Sequence, residues 1–332
     1  MPDPLISTII PVLNGEPFLE RCFSTLDAQT YPNLEIIFVD NGSTDSSVKM
    51  IKNYCSKKLK SRFILCKQKG PAAARNIGLQ FADGDFLSFL DVDDEIHADK
   101  FNILLTALKN YPQAGMAIGQ TKKQYENGSS HIMDLGLLKH GLNPAPEPGL
   151  LWLQQFQHNP AIHCFIIDRN ILKIVGGFPE NIKYGEDVAF LVKIGLECCI
   201  VLVEKIVCKY YRHSESAVSV ANNKFSPVER YLQFYTKFAL PYFSRRRNIK
   251  IYKLALATSQ NISFQLMMKL IFILKKENFP LNSKLRNLNY PPEFKLYFLF
   301  FNFLPYRYAN YIYEIINNIF IKIKGLKKIN EI

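Results

Sequence analysis

The chain has 332 residues, 48% of them apolar, which excludes a disordered polypeptide and leaves room for one large core with an appendage or for two domains. Its formal net charge of +12 is unevenly placed: residues 1–224 carry 23 Lys+Arg against 24 Asp+Glu, whereas residues 225–332 carry 18 against 5. Seven cysteines without a CxxC pair argue against a zinc site or a disulfide framework and read as reduced, mostly buried thiols of a cytoplasmic protein. The N-terminus, MPDPLISTII, lacks the basic and long apolar regions of a signal peptide.

Taken in order, residues 5–13 (LISTIIPVL) read as a buried strand ending at Pro11–Asn14. In the following PFLERCFSTLDAQ, residues Phe18, Leu19, Cys22, Phe23 and Leu26 fall on one helical face. Residues 34–39 (LEIIFV) form a second strand, ending in Asp40 and the turn Asn41-Gly42-Ser43-Thr44-Asp45, which can cap a helix. RFILC (62–66) is a third strand, and Gly70-Pro71 leads into the helix AAARNIGLQFA. The apolar run Phe86 to Leu90 then ends abruptly in Asp91, Val92, Asp93 and Asp94. Alternating strands and helices predict a parallel sheet covered on both faces, whose ligands bind beyond the carboxyl ends of the strands. Three strand ends carry polar groups: Asn14 and Glu16, Asp40, and Asp91 with Asp93. If the chain stays extended past Leu90, Asp91 and Asp93 project to one side, as a hard cation sharing its shell with phosphates requires. An acidic turn capping a helix is the alternative.

No GxGxxG follows the first strand and no GxxxxGK[ST] occurs, so phosphate charge would be met by a metal and basic side chains. Arg75 is a candidate, near the start of a helix whose dipole favours anions, unless it is a salt-bridged helix residue. YENGSS reads as a hairpin turn, NPAPEPG as a proline-rich loop crossing the surface, and Trp152 as a packed aromatic rather than a sugar platform. AIHCFII (161–167) is another strand, Gly176-Gly177 ends a helix, and Glu186-Asp187 opens a new one. Acids at that place suit the helix dipole, and they also suit a general base held rigidly at the mouth of the sheet. IVCKYY (206–211) is the last strand, followed by His213, placed for a metal or phosphate contact.

Three blocks carry a resemblance. TIIPVLNGEPFLERCFSTLDAQTYPNLEIIFVDNGSTDSS, GPAAARNIGLQFADGDFLSFLDVDD and GGFPENIKYGEDVAF resemble, in order, the opening, the DxD block and the acceptor-side ED block of family 2 glycosyltransferases of GT-A fold, over roughly residues 5–215. The resemblance implies an α/β architecture: a mixed, mainly parallel sheet flanked by helices as a catalytic domain over 1–224, with a C-terminal helical region over 225–332. It implies an inverting transfer of a sugar from a nucleotide-diphosphate donor, UDP by preference, to a hydroxyl of a glycan or glycolipid acceptor in cell-surface polysaccharide synthesis, assisted by Mn²⁺ or Mg²⁺. It places Pro11, Leu13, Asn14 and Glu16 at the nucleotide base, Asp40 on the uracil ring, and Gly70 and Arg75 along the nucleotide. Asp91 and Val92 fall at the ribose, and Asp93, Asp91 and His213 at the metal. Asp187 becomes the catalytic base, with Glu186 as the second choice. Leu13 stands where the family often has an aromatic, and Asp40-Asn41 where it often has two acids. A catalytically silent nucleotide-sugar-binding scaffold at the membrane is the alternative. A sugar nucleotidyltransferase is disfavoured, because its Gly-rich basic loop is missing from VLNGEPF.

Residues 225–332 lie outside the resemblance. They lack Asp and hold 23 of the 43 aromatics, in runs such as QLMMKLIFILKK that fall short of the ~20 residues needed to span a bilayer. They are expected to form amphipathic helices at an anionic membrane interface, a helical bundle packed on the catalytic domain, or both. A peripheral position on the inner face of the cell membrane follows from the first. No nucleic-acid module is present, and no nucleic-acid partner is expected.

Overall fold

A computed structural model describes residues 3–182, 184–213, 227–246 and 249–276. The chain divides into two compact units, Met1–Ser216 and Ala217–Ile332.

In the first unit the strands are β1 (Ile6–Val12), β2 (Leu34–Asp40), β3 (Ser61–Leu65), β4 (Phe86–Phe89), β5 (Glu95–Ile96), β6 (Ala114–Tyr125), β7 (Ser130–Ile132), β8 (Gly141–Asn143), β9 (Phe165–Asp168) and β10 (Cys199–Arg212). Helices α1 (Glu16–Asp27), α2 (Ser47–Lys57), α3 (Pro71–Phe81), α4 (Lys100–Asn110), α5 (Glu147–Gln154), α6 (Ile171–Val175) and α7 (Glu186–Glu197) connect them. Among the described residues they form one sheet in the order β3-β2-β1-β4-β9-β6-β10-β5, with β7 on β6 and β8 on β10. The run β3-β2-β1-β4 is parallel, and β9 reverses direction between β4 and β6. This is the mixed, mainly parallel, helix-flanked sheet that the resemblance implies; the alternation of strands and helices predicts its parallel part but not the reversed β9. Ile6, Ile9, Ile10, Ile37, Phe38, Leu87 and Phe89 are fully buried, as strands covered on both faces must be.

The parallel pairing sets the carboxyl ends of β1, β2 and β4 side by side, with Val12 beside Asp40 and Ile9 beside Phe89. Pro11, which has no N–H to donate, falls beyond the last β1–β4 pair, where the ladder no longer needs it. The three polar strand ends therefore meet at one rim.

Three stretches differ from expectation. In AIHCFII the strand β9 begins only at Phe165, and a turn precedes it. NPAPEPG does not cross the surface as a loop: Asn143 ends β8 and is buried, and Glu147-Pro148 opens α5, since proline at a first helical turn sacrifices no hydrogen bond. Trp152 on α5 is fully buried, which makes it a packed aromatic. β10 begins seven residues before the predicted IVCKYY; its pairing with β6 shifts register around Leu202 and Ile206, and this irregularity hides the alternation.

In the second unit, α8 (Pro227–Phe234), a π-turn (Tyr235–Ala239), α9 (Leu240–Ser244) and α10 (Lys250–Lys276) are helical. Their aromatics contact one another: Phe234 and Phe238 centroids are 5.1 Å apart, Phe238 and Tyr242 5.2 Å, and Tyr242 and Tyr252 5.9 Å. Rings so engaged form a local aromatic core within this helical region. KLYFLFFNFLPYRY and the remaining tail lie outside the described residues. Among the described residues, no helix is long and apolar enough to cross a membrane.

The α5–α7 contact is close because Gly149 faces Gly195; a Cβ on Gly149 would lie 2.7 Å from the Gly195 carbonyl carbon. Gly149→Ala should therefore lower stability by about 1–3 kcal/mol, seen as a reduced urea midpoint at unchanged slope.

Candidate active site

The rim is organised by the turn after β4. The chain does not stay extended past Leu90: the Asp94 N–H donates to the Asp91 carbonyl at 3.0 Å, closing a turn. Period-two alternation therefore fails here, and Asp91 and Asp93 diverge. Asp91 Oδ1 accepts from Arg75 Nη2 at 2.7 Å, whereas Asp93 Oδ2 lies 3.0 Å from His213 Nε2. The expected metal set is thus brought together as Asp93 and His213, without Asp91. Asp94 is buried; its Oδ2 lies 3.1 Å from His163 Nδ1 and its Oδ1 accepts from the Tyr211 N–H at 2.8 Å. Burial pushes Asp94 up to about 6 against the pull of His163. Arg21 of α1 donates to the Asp93 carbonyl and lies 4.0 Å over the Tyr211 ring, so α1 and β10 clamp the turn from outside. Val92 packs on Gly15, where a Cβ would meet its methyl groups at 3.2 Å.

Arg75 is the centre. Pro71 starts α3 after Gly70, whose φ of 117° and ψ of 149° only glycine readily adopts, and one turn later Arg75 is buried. Its Nη2 takes Asp91, its Nη1 takes Glu186 Oε1 at 3.1 Å, and its guanidinium lies 5.5 Å over Phe178. Burial would lower its pKa, but the Asp91 and Glu186 carboxylates outweigh burial and raise it, so the charge is fixed. Arg75 is thus a salt-bridged helix residue, the alternative that the sequence also allowed.

Glu186 and Asp187 open α7 beside it. Burial first, then the Asp187 charge, pushes Glu186 up to about 7 against Arg75. Burial likewise raises Asp187, whose Oδ1 accepts the Val188 N–H at 2.8 Å. A cavity of about 170 Å³ adjoins them, lined by Lys69, Gly70, Ala72, Glu180, Ile182 and Glu186 among others.

The β1 and β2 ends are knitted together. Leu13 is 58% exposed. Asn14 (φ 50°) accepts from the Thr44 N–H at 2.8 Å and donates its own N–H to Ser43 Oγ. Glu16 accepts from the Ser46 N–H at 2.8 Å. Asp40 lies at the end of β2, beside Val12 of β1. It is 2% exposed, and its carboxylate accepts the N–H groups of Gly42 and Ser43, so it holds its own turn.

Three residues that the sequence did not single out complete the site. Asn41 donates to the Gln68 carbonyl at 2.7 Å and accepts from the Gly70 N–H at 2.6 Å, tying β2 to the entry of α3. Asn76 clasps the 177–180 segment: it accepts from the Phe178 N–H at 2.7 Å and donates to the Phe178 carbonyl at 2.8 Å and to Glu180 Oε1 at 2.6 Å. His163 sits beneath the acidic turn. Their signals were slight: Asn41 and Asn76 each neighbour a charged candidate, and His163 interrupts a strand-like run.

The donor set suits a divalent cation. Asp93 and His213 offer one carboxylate oxygen and one imidazole nitrogen at a single point, and other ligands would come from a diphosphate and water. Among the described residues, no group of three or more His, Cys, Asp or Glu forms a cage.

The family model for glycosyl transferase family 2 matches residues 7–175. An uncharacterized glycosyltransferase of Haemophilus influenzae is 35% identical over 238 residues, covering 67% of this chain and 84% of that protein. The chain belongs to glycosyl transferase family 2. It is thus a glycosyltransferase by family, as its relatives are named. It spans only 36% of another relative, an uncharacterized glycosyltransferase of Rickettsia felis, at 29% identity. Among solved structures, S. aureus TarS (residues 1–349) in complex with UDP-GlcNAc superposes with a TM-score of 0.54 at 19% identity, over 79% of this chain and 81% of that one. The Pyrobaculum calidifontis mannosyltransferase PcManGT in complex with GDP-Man and Mn²⁺ gives 0.52 at 17%, over 77% and 73%. These likenesses establish the GT-A fold.

A buried carboxyl with a raised folded-state pKa resists ionisation, so it loses stability as pH rises from the unfolded value toward the folded one. For Glu186 that window runs from 4.5 to about 7. Glu186→Gln cannot ionise. Its thermal stability should match the wild type near pH 4.5 and exceed it increasingly above, by on the order of 3 kcal/mol at pH 8, read as a widening gap in Tm.

Proposed function

We propose that the chain transfers a sugar from a nucleoside-diphosphate donor, UDP by preference, to a hydroxyl of a glycan or glycolipid acceptor with inversion at the anomeric carbon. The observation that carries this reading is the Asp91–Arg75–Glu186 bridge, which joins the acidic turn after β4 to the acid pair opening α7. A wholly structural sheet has no use for two acid clusters meeting at the strand ends where ligands bind.

The roles divide by partner. Glu186 is engaged by Arg75, which leaves Asp187 as the general base. Its raised pKa brings its basicity nearer the working pH than an exposed aspartate's, which favours proton transfer. Asp187 takes the acceptor hydroxyl proton as that oxygen bonds to the anomeric carbon; the bond from that carbon to the diphosphate oxygen breaks on the opposite side. Asp93 and His213 would hold a divalent cation, which when bound supplies charge stabilisation to the departing diphosphate. Arg75 orients Asp91 toward the donor side. Asn41, Asn14 and Asp40 keep the base-side loops in fixed register. UDP-GlcNAc in the TarS complex, and GDP-Man with Mn²⁺ in the PcManGT complex, agree with this donor class and cofactor. Cell-surface polysaccharide synthesis, and a membrane-interface role for residues 225–332, belong to the same proposal.

Donor hydrolysis and transfer, screened over a panel of nucleotide sugars with Mn²⁺, test it. Asp187→Asn should bind the accepted donor within about threefold of wild type while transfer falls by a factor of ~10²–10⁴; near-normal turnover in this variant refutes the assignment. Asp93→Ala should weaken the metal dependence itself, raising the Mn²⁺ concentration needed for half-maximal rate.

A further inference from the structure

The near-neutral balance of the first 224 residues conceals a segment of one sign. From Ser46 to Ala82 there are nine Lys and Arg and no Asp or Glu. Arg75 is buried in the site; the other eight are exposed, on α2, on the α2–β3 turn, on β3 and on the strand's exit toward Gly70. β3 is an edge strand of the sheet. Lys58 pairs with Asp27, and Arg62 with Glu35 and Asp83. Among the described residues no carboxylate pairs with Lys49, Lys52, Lys57, Lys60, Lys67 or Lys69. At the tip of the α2–β3 turn, between Lys58 and Lys60, Leu59 is 106% exposed, and Leu65 on β3 is 63% exposed.

We propose that this face docks on an anionic lipid bilayer, the lysines meeting headgroup charge and Leu59 entering the interfacial layer. Basic clusters are drawn to an anionic leaflet, and apolar side chains set among them add burial at the headgroup boundary. A soluble polyanion would satisfy the lysines and leave Leu59 in water, so the combination favours lipid. Lys69 and Gly70, at the end of this face, also line the cavity beside Glu186, so docking holds the cleft at headgroup level. The docking does not depend on the transferase chemistry, and its residues all belong to the first unit.

The full chain is floated with phosphatidylglycerol-containing and with pure phosphatidylcholine vesicles, and run in parallel on heparin. One variant carries Lys49→Glu, Lys52→Glu, Lys57→Glu and Lys60→Glu together; another carries Leu59→Ser. None of these residues belongs to the site, so Tm and donor hydrolysis should stay at wild-type values, which shows the fold is kept. Each lysine near an anionic surface is worth about fivefold in partition. The fourfold variant should therefore lose at least tenfold of its partition to phosphatidylglycerol vesicles. Leu59→Ser should lose severalfold on those vesicles and nothing on heparin. Wild-type flotation of the fourfold variant overturns the proposal. So does the pattern of a soluble polyanion partner: loss on heparin in the fourfold variant, with no flotation of either chain.

Discussion

A buried guanidinium fixes the geometry of this site. Arg75 is carried by α3, yet its partners come from the end of β4 and from the start of α7, more than a hundred residues later. A charge at that depth is tolerable only when it is paired, and removing the Asp91 carboxylate, its closer partner, would leave it undercompensated at a cost of several kcal/mol. The pairing therefore dictates where α7 begins relative to the sheet. Asn76, one residue on, reinforces it by clasping the Phe178 backbone, and Phe178 stacks on Phe190 of α7 with centroids 4.0 Å apart. Adjacent residues of α3 thus hold the acid pair by charge and the segment leading to it by hydrogen bonds.

The acidic turn after β4 obeys a related rule. Three carboxylates in four residues would repel one another if they shared a direction. The turn sends each to a different basic group: Asp91 to Arg75, Asp93 to His213 and Asp94 to His163. The three partners differ in burial, and so do the roles. Asp94 and His163 are 1% exposed and anchor the turn; Asp93 and His213 are more open and remain accessible to a ligand.

Most strands and helices of the first unit were legible, because continuous apolar runs and one-sided helical faces are local signals. Gly70-Pro71, Gly176-Gly177 and Glu186-Asp187 marked their boundaries for conformational and dipole reasons that need no tertiary information. What failed was whatever depended on a turn or on a distant partner. Asp91 and Asp93 could not be separated on paper, because period two holds only while the chain is extended. The contacts of Asp40 were not legible either: an acid at a strand end is ambiguous, and here it caps its own turn through an Asx hydrogen-bond pattern that Asn41-Gly42-Ser43 permits. Proline in NPAPEPG suggested a loop, although proline suits a first helical turn equally well. Asn41, Asn76 and His163 act through contacts far away in the chain, which carry no periodicity.

Charge counting finally bears on how an anionic donor enters so acidic a cleft. Asp91, Asp93, Glu186 and Asp187 gather at the rim, and the Arg75 charge is already committed to two of them. A diphosphate brought alone to that place would meet net repulsion, strengthened wherever the walls exclude water. On the proposed function, positive charge arrives with the donor, and Asp93 Oδ2 and His213 Nε2, 3.0 Å apart, would receive it. A raised Glu186 pKa works in the same direction, because a protonated Glu186 removes one negative charge and frees part of the Arg75 field for the ligand. An anionic donor is then linked both to the metal and to the protonation of Glu186, each of which favours it, while the cation and the Glu186 proton oppose one another. The burial that makes Asp187 a stronger base also makes the cleft hostile to an unaccompanied diphosphate.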